Sequence, residues 1–118
     1  MSIKNALASV AVRDLDAAIP WYVRVLAKPP DSMPLAEVAE WKFERGGWLQ
    51  VYQLAQRAGA GSVTLTVVNL EETVARIGNM GIDVSQRTWG AHVKTLMITD
   101  PDGNHIAFAE AVDPAMTR

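Results

Sequence analysis

One local pattern occurs twice in this chain, and its two copies lie about 55 residues apart. The first reads Ser9-Val10-Ala11-Val12-Arg13-Asp14-Leu15-Asp16, the second Thr64-Leu65-Thr66-Val67-Val68-Asn69-Leu70-Glu71. In each, apolar residues alternate with others, an Asx residue stands where a helix would be capped, and Leu and a carboxylate follow. A helical pattern succeeds both. Repetition at that spacing in 118 residues means two copies of one supersecondary unit, and no single motif constrains the fold as much.

Residues 6–13 read as a strand, with Val10 and Val12 on one face and Leu7, Ser9 and Ala11 on the other. Asp14 or Asp16 caps the next helix, whose apolar stripe is Leu15, Ala18, Ile19, Tyr22, Val25 and Leu26. Pro20 interrupts it and predicts a late start or a bend, because proline deletes a backbone hydrogen bond. Lys28-Pro29-Pro30-Asp31 ends the helix. After Pro34 come extended segments at 38–43 and 48–54, turned by Arg45-Gly46-Gly47. Residues 56–61, rich in Ala and Gly, link the halves. The second half repeats the order. Strand 62–67 leads to a helix capped by Asn69 with Glu72, running through Val74, Ile77 and Met80 and stopped by a left-handed Gly81. Strands are expected at 82–87, 93–99 and 105–112, with Asp100-Pro101-Asp102-Gly103-Asn104 as a turn and a frayed tail from Asp113. Each half is strand, helix, then strands. Module one spans about 6–55 and module two about 62–112, within one domain, 1–118.

Composition narrows the function classes. A formal net charge of −2 with no basic stripe argues against nucleic acid or an anionic membrane as partner. No cysteine is present, which removes disulfides, thiolate ligands and a thiol nucleophile. Met1-Ser2-Ile3-Lys4-Asn5 lacks the basic and apolar regions of a signal peptide, and no apolar stretch approaches the roughly 18 residues of a spanning helix. A cytoplasmic location is expected.

Two βαβββ modules, an Asx-Leu helix start in each, and Asp100-Pro101-Asp102-Gly103-Asn104 before the last strand resemble the vicinal oxygen chelate superfamily. That group includes glyoxalase I, the bleomycin-resistance proteins and the extradiol dioxygenases, and the resemblance covers about residues 6–112. It implies an α+β fold in which tandem βαβββ modules form a curled, barrel-like mixed sheet around a cavity. It also implies a homodimer. In metal-dependent members four side chains hold a divalent cation in the cavity. Carried over, those positions are Leu7 and Ser62, seven residues before Asp14 and Asn69, together with Gln50 and Ala107. Leu and Ala donate nothing, Ser is a poor neutral ligand and Gln a weak one, whereas such cations need imidazole or carboxylate donors. No family metal site and no cofactor are therefore expected. His92, His105 and one of Glu37, Glu40 and Glu44 are the material for a relocated site, although the glutamates read as a solvated strand face. Glu110 lies on the face opposite His105 by strand parity.

Carrying the strands over in register assigns the inward faces: Leu7, Ser9 and Ala11; Trp48, Gln50 and Tyr52; Ser62, Thr64 and Thr66; His105, Ala107 and Ala109. Small hydroxyls, one amide and two large aromatics suit an organic ligand. Trp48, Gln50, Tyr52, Ser62, Thr64, Thr66, Leu7, Ser9 and Ala107 are the ligand-binding candidates. Their bland alternatives are barrel filling for the aromatics, a cross-strand bond for Gln50, and ordinary strand preference for the hydroxyls. His105 is the one catalytic candidate. Trp21 and Trp41 read as packing or subunit-contact residues, and Trp89 as a lid or dimer contact. No phosphate loop, nucleophile elbow or dinucleotide fingerprint is present. The function expected is metal-independent binding of a small organic molecule. The alternatives are a lyase, dioxygenase or isomerase of the superfamily, metal-free or with relocated ligands, and a catalytically inert module.

Overall fold

The computed structural model describes residues 2–112; the tail from Asp113, expected to fray, lies outside the described residues. The chain divides after Gly61 into two compact units, and the first also takes in Asp100–Asn104. In the first unit β1 (Leu7–Val12) leads to α1 (Leu15–Leu26), followed by β2 (Ser32–Leu35), β3 (Val38–Lys42) and β4 (Trp48–Gln53). The sheet order is β1-β4-β3-β2, with β1 and β4 parallel and the other pairs antiparallel. In the second unit β5 (Ser62–Thr66) leads to α2 (Leu70–Gly78), then β6 (Arg87–Trp89), β7 (Val93–Thr99) and β8 (His105–Ala111). The order β5-β8-β7-β6 repeats the first arrangement, with β5 and β8 parallel. The fold is α+β, two βαβββ modules in tandem, each with an open four-stranded sheet.

Strand parity decides which face of the first sheet is core. Val10, Val12, Ala39, Trp41, Leu49 and Val51 are buried and meet Leu15, Ala18, Tyr22 and Val25, the buried stripe of α1. Burial of each large aliphatic side chain contributes about 1.5–3 kcal/mol. The Trp41 indole N–H, fully inside, donates to Lys28 O at 2.9 Å, so its burial leaves no polar group stranded. In the second unit Val63, Leu96, Ile98, Ile106 and Phe108 are buried on the side that carries α2, with Leu70, Thr73 and Ile77.

Four local expectations need correction. Pro20 neither delays nor ends α1: Asp14 Oδ1 accepts from Ala17 N at 3.4 Å and the helix runs on to Leu26. Asp16, whose carbonyl lacks a donor at Pro20, and Pro20 itself are exposed, so that carbonyl is not shut away from solvent. Second, α2 ends at Gly78, and Gly81, at φ +81°, closes the turn beyond it. Third, residues 82–86 form no strand; β6 is only Arg87–Trp89. Last, β2 stands at Ser32–Leu35 around Pro34, a short edge strand where proline is tolerated.

The Asp100–Asn104 turn is knitted into the first unit. Asp100 Oδ1 accepts from Asp102 N and Asn104 N at 3.0 and 2.8 Å. Asn104, fully buried, donates through Nδ2 to Ala11 O and to Asp100 Oδ2, both at 2.8 Å, and accepts from Gly61 N at 2.8 Å. The Tyr22 hydroxyl donates to Asp100 Oδ2 at 2.6 Å. Among the described residues no helix is long and apolar enough to cross a membrane.

Candidate ligand-binding site

The face of the first sheet that α1 leaves free is built from register. Ser9 pairs with Gln50, Gln50 with Glu40, and Glu40 with Ser32, so one residue from each of the four strands falls in a single row. Their side chains are joined. Ser9 Oγ donates to Gln50 Oε1 at 3.2 Å, Gln50 Nε2 to Glu40 Oε2 at 3.1 Å, and Ser32 Oγ to Glu40 Oε1 at 3.1 Å. A carboxylate only accepts, so Gln50 must turn its N–H₂ toward Glu40 and its oxygen toward Ser9.

Aromatic rows flank this polar one. On one side Leu7 pairs with Trp48 and Trp48 with Lys42, whose ammonium lies 4.5 Å from the indole centroid. On the other, Ala11 pairs with Tyr52 and Tyr52 with Val38. Trp48, Gln50, Tyr52 and Glu40 are all half-buried, intermediate between core and surface. The expected set Leu7, Ser9, Ala11, Trp48, Gln50 and Tyr52 thus shares one face. Glu40, read from sequence as part of a solvated face, belongs to it. A hairpin centred on Arg45 already sets 40 opposite 50, and that was the available signal.

The second unit has a corresponding face of different chemistry. Ser62 pairs with His105 and His105 with Thr99; Thr64 pairs with Ala107 and Ala107 with Met97; Thr66 pairs with Ala109 and Ala109 with Thr95. Ser62, Thr64, Thr66 and His105 are exposed. No strand on this face carries a carboxylate. Glu110 points the other way, where its Oε1 accepts from Leu70 N at 2.7 Å and caps α2. Trp89, half exposed, lies on the helix side, beside a hollow of about 160 Å³ lined by Glu71, Val74, Ala75 and Arg87. A second hollow of about 120 Å³ lies among Ile82, Asp83, Gln86, Met97, Ile98 and Thr99. Both are smaller than the roughly 300–1,000 Å³ typical of ligand pockets.

The four positions of the superfamily's metal site divide between the units: Leu7 and Gln50 in the first, Ser62 and Ala107 in the second. Their donor atoms do not fit a divalent transition metal, since two are hydrocarbon and Gln50 is already engaged at both ends of its amide. Among the described residues no group of three or more His, Asp or Glu comes together as a replacement. Among the described residues, then, His92 and His105 form no three-ligand group with a glutamate.

No protein-family model matches the chain, and no curated protein sequence does. Solved structures do. A glyoxalase/bleomycin resistance protein from Catenulispora acidiphila is 32% identical, with a TM-score of 0.81 over 90% of this chain and 96% of that one. TnmS3, an antibiotic binding protein from Streptomyces sp. CB03234, is 22% identical, with a TM-score of 0.80 over 94% and 98%. Lactoylglutathione lyase from Agrobacterium tumefaciens is 18% identical, with a TM-score of 0.75 over 93% and 95%. The last two share the fold; the first, above 30% identity over nearly its whole length, carries the relationship further. With its duplicated βαβββ plan and that relative, the chain belongs to the glyoxalase/bleomycin-resistance group of the vicinal oxygen chelate superfamily.

Proposed function

We propose that this protein binds a small organic molecule without a metal ion, as a cytoplasmic homodimer, on the open face of its first sheet. The observation that carries this is the in-register row Ser9–Gln50–Glu40–Ser32 set between Trp48 and Tyr52. Affinity would come from area buried on the two rings, each good for about 0.5–1.5 kcal/mol beyond burial when stacked on another aromatic. Orientation would come from the fixed amide and carboxylate. Leu7 and Ser9 border the same face. Ser62, Thr64, Thr66 and Ala107 offer a second set of small polar and apolar contacts in the second unit. The antibiotic-binding relative supports the reading by fold. The dimer is supported by exposed Leu7 and Leu35 at the edge strands β1 and β2, which a second chain would cover.

The competing lyase, dioxygenase or isomerase would rely on a metal held by relocated ligands or on His105. Elemental mass spectrometry of untagged protein, with melting curves plus and minus Ni²⁺, Zn²⁺, Fe²⁺, Co²⁺ and a chelator, separates the two. A bound ion at a hundredfold its Kd adds about 2.7 kcal/mol, a visible shift. The proposal expects substoichiometric metal and unchanged melting. Near-stoichiometric metal with a chelator-sensitive melt overturns it. Sedimentation velocity tests the dimer, which is abandoned if the protein sediments at the mass of a single chain.

A further inference from the structure

We propose that Glu40 sets the charge preference of this face, and that the ligand carries a protonated nitrogen, an amine or amidine, next to an aromatic group. The inference rests on the binding function proposed above and names its ligand class. Glu40 is not one of the four positions at which the superfamily holds its metal.

The first ground is unused acceptor capacity. A carboxylate offers about four acceptor sites. Ser32 and Gln50 take one on each oxygen, at 3.1 Å, which leaves two free beside the remaining N–H of Gln50. Both neighbours donate inward, so the row presents its acceptors at Glu40 and holds that side chain in place before any ligand arrives.

The second ground is a missing counter-charge. Among the described residues no lysine, arginine or histidine forms an ion pair with Glu40. Two lysines of the same unit are engaged elsewhere: Lys28 pairs with Asp31 at 2.7 Å, and Lys42, two residues along β3, lies over the Trp48 ring. A half-buried carboxylate between aromatic side chains, with no cation of its own, gains most from a cationic donor. Charge-assisted hydrogen bonds are roughly twice as strong as neutral ones, whereas a ligand carboxylate here would meet like charge.

Geometry supplies the third. Trp48 and Tyr52 stand two residues either side of Gln50, which places each about 6.7 Å along the strand from the polar row. An aryl group two or three bonds from the nitrogen reaches either ring while the nitrogen sits over Glu40. Stacking on Trp48 would replace the Lys42 ammonium as the ring's partner.

Three matched probes test this: 2-phenylethylamine, 3-phenylpropionamide and 3-phenylpropionate, titrated into ¹⁵N-labelled protein while the Gln50 side-chain amide and the Trp48 indole signal are followed. The expected order of affinity is amine, amide, acid, with at least tenfold between the first and last. Glu40→Gln should lower amine affinity at least fivefold and leave the amide unchanged, and Glu40→Lys should reverse the order. Equal binding of all three, or an amine affinity that survives both substitutions, overturns the inference while leaving the binding face standing. Probes that leave both signals unmoved overturn the binding reading itself, and the inference with it.

Discussion

Gln53 and Glu110 perform the same task in the two modules. Each lies on the strand parallel to its module's first strand, and each accepts the hydrogen bond of a helix's first amide, Leu15 N at 2.9 Å and Leu70 N at 2.7 Å. The first N–H groups of a helix have no intrahelical partner, so these side chains satisfy a group the fold must otherwise leave to water. The task also commits Glu110, the last acidic residue of β8, to structure. Gln53→Ala and Glu110→Ala should each destabilise by about 1–2 kcal/mol in urea unfolding, with Glu110→Gln keeping most of the stability, because an amide oxygen still accepts.

Tyr22 should show in the pH dependence of stability. Burial, then the hydrogen bond to Asp100, push its hydroxyl far above the ordinary tyrosine range. A folded-state value above the unfolded one, about 10, means that the stabilisation is complete below pH 10 and is lost as pH rises beyond it. Tyr22→Phe should cost about 1.5–3 kcal/mol at neutral pH, the range for a hydrogen bond to a charged group. The gap between wild type and variant should narrow above pH 10. A gap constant from pH 7 to 11 would show that the hydroxyl contributes nothing of this kind.

The linker before β5 is less permissive than its composition implies. Gly59 has φ +89°, and a Cβ there would lie 2.4 Å from the Asp102 carbonyl oxygen, which is backbone and cannot step aside. Gly59→Ala should therefore destabilise by more than about 2 kcal/mol. At Ala27 the opposite holds. This C-cap residue adopts φ 64° with a side chain. Ala27→Gly relieves that strain and, after the entropy glycine adds to the unfolded chain, should gain about 0.5–1 kcal/mol. Paired thermal melts check both.

The duplicated strand-to-helix motif was legible because periodicity and capping are local. Asp14 and Asn69 cap as their spacing requires, and Trp48, Gln50 and Tyr52 share a face by parity alone. What escaped depends on partners distant in sequence. β2 contains Pro34 and is mostly exposed, so it shows no alternation and exists only by pairing with β3. Glu40 has a neutral-looking context until Gln50 and Ser32 are placed on either side of it. The role of Asp100–Asn104 in holding Tyr22, Ala11 and Gly61 cannot be read from a turn motif, because its partners lie some 40 to 90 residues away.

Gln50 offers the cleanest separation of structure from function. Both ends of its amide are used, yet the row lies on an open face where water can replace either bond. If its role were only structural, Gln50→Leu would change stability and nothing more. On a half-exposed strand position that change should stay within about 1 kcal/mol, since leucine fits the pleat and the freed Ser9 and Glu40 remain hydrated. Ligand binding should respond differently, because Glu40 loses the donor that aims it and the face loses its one free amide hydrogen. The expected outcome is near-wild-type urea unfolding together with at least a tenfold loss of affinity for 2-phenylethylamine. Intact affinity with lowered stability would return Gln50 to the role of a cross-strand fastener.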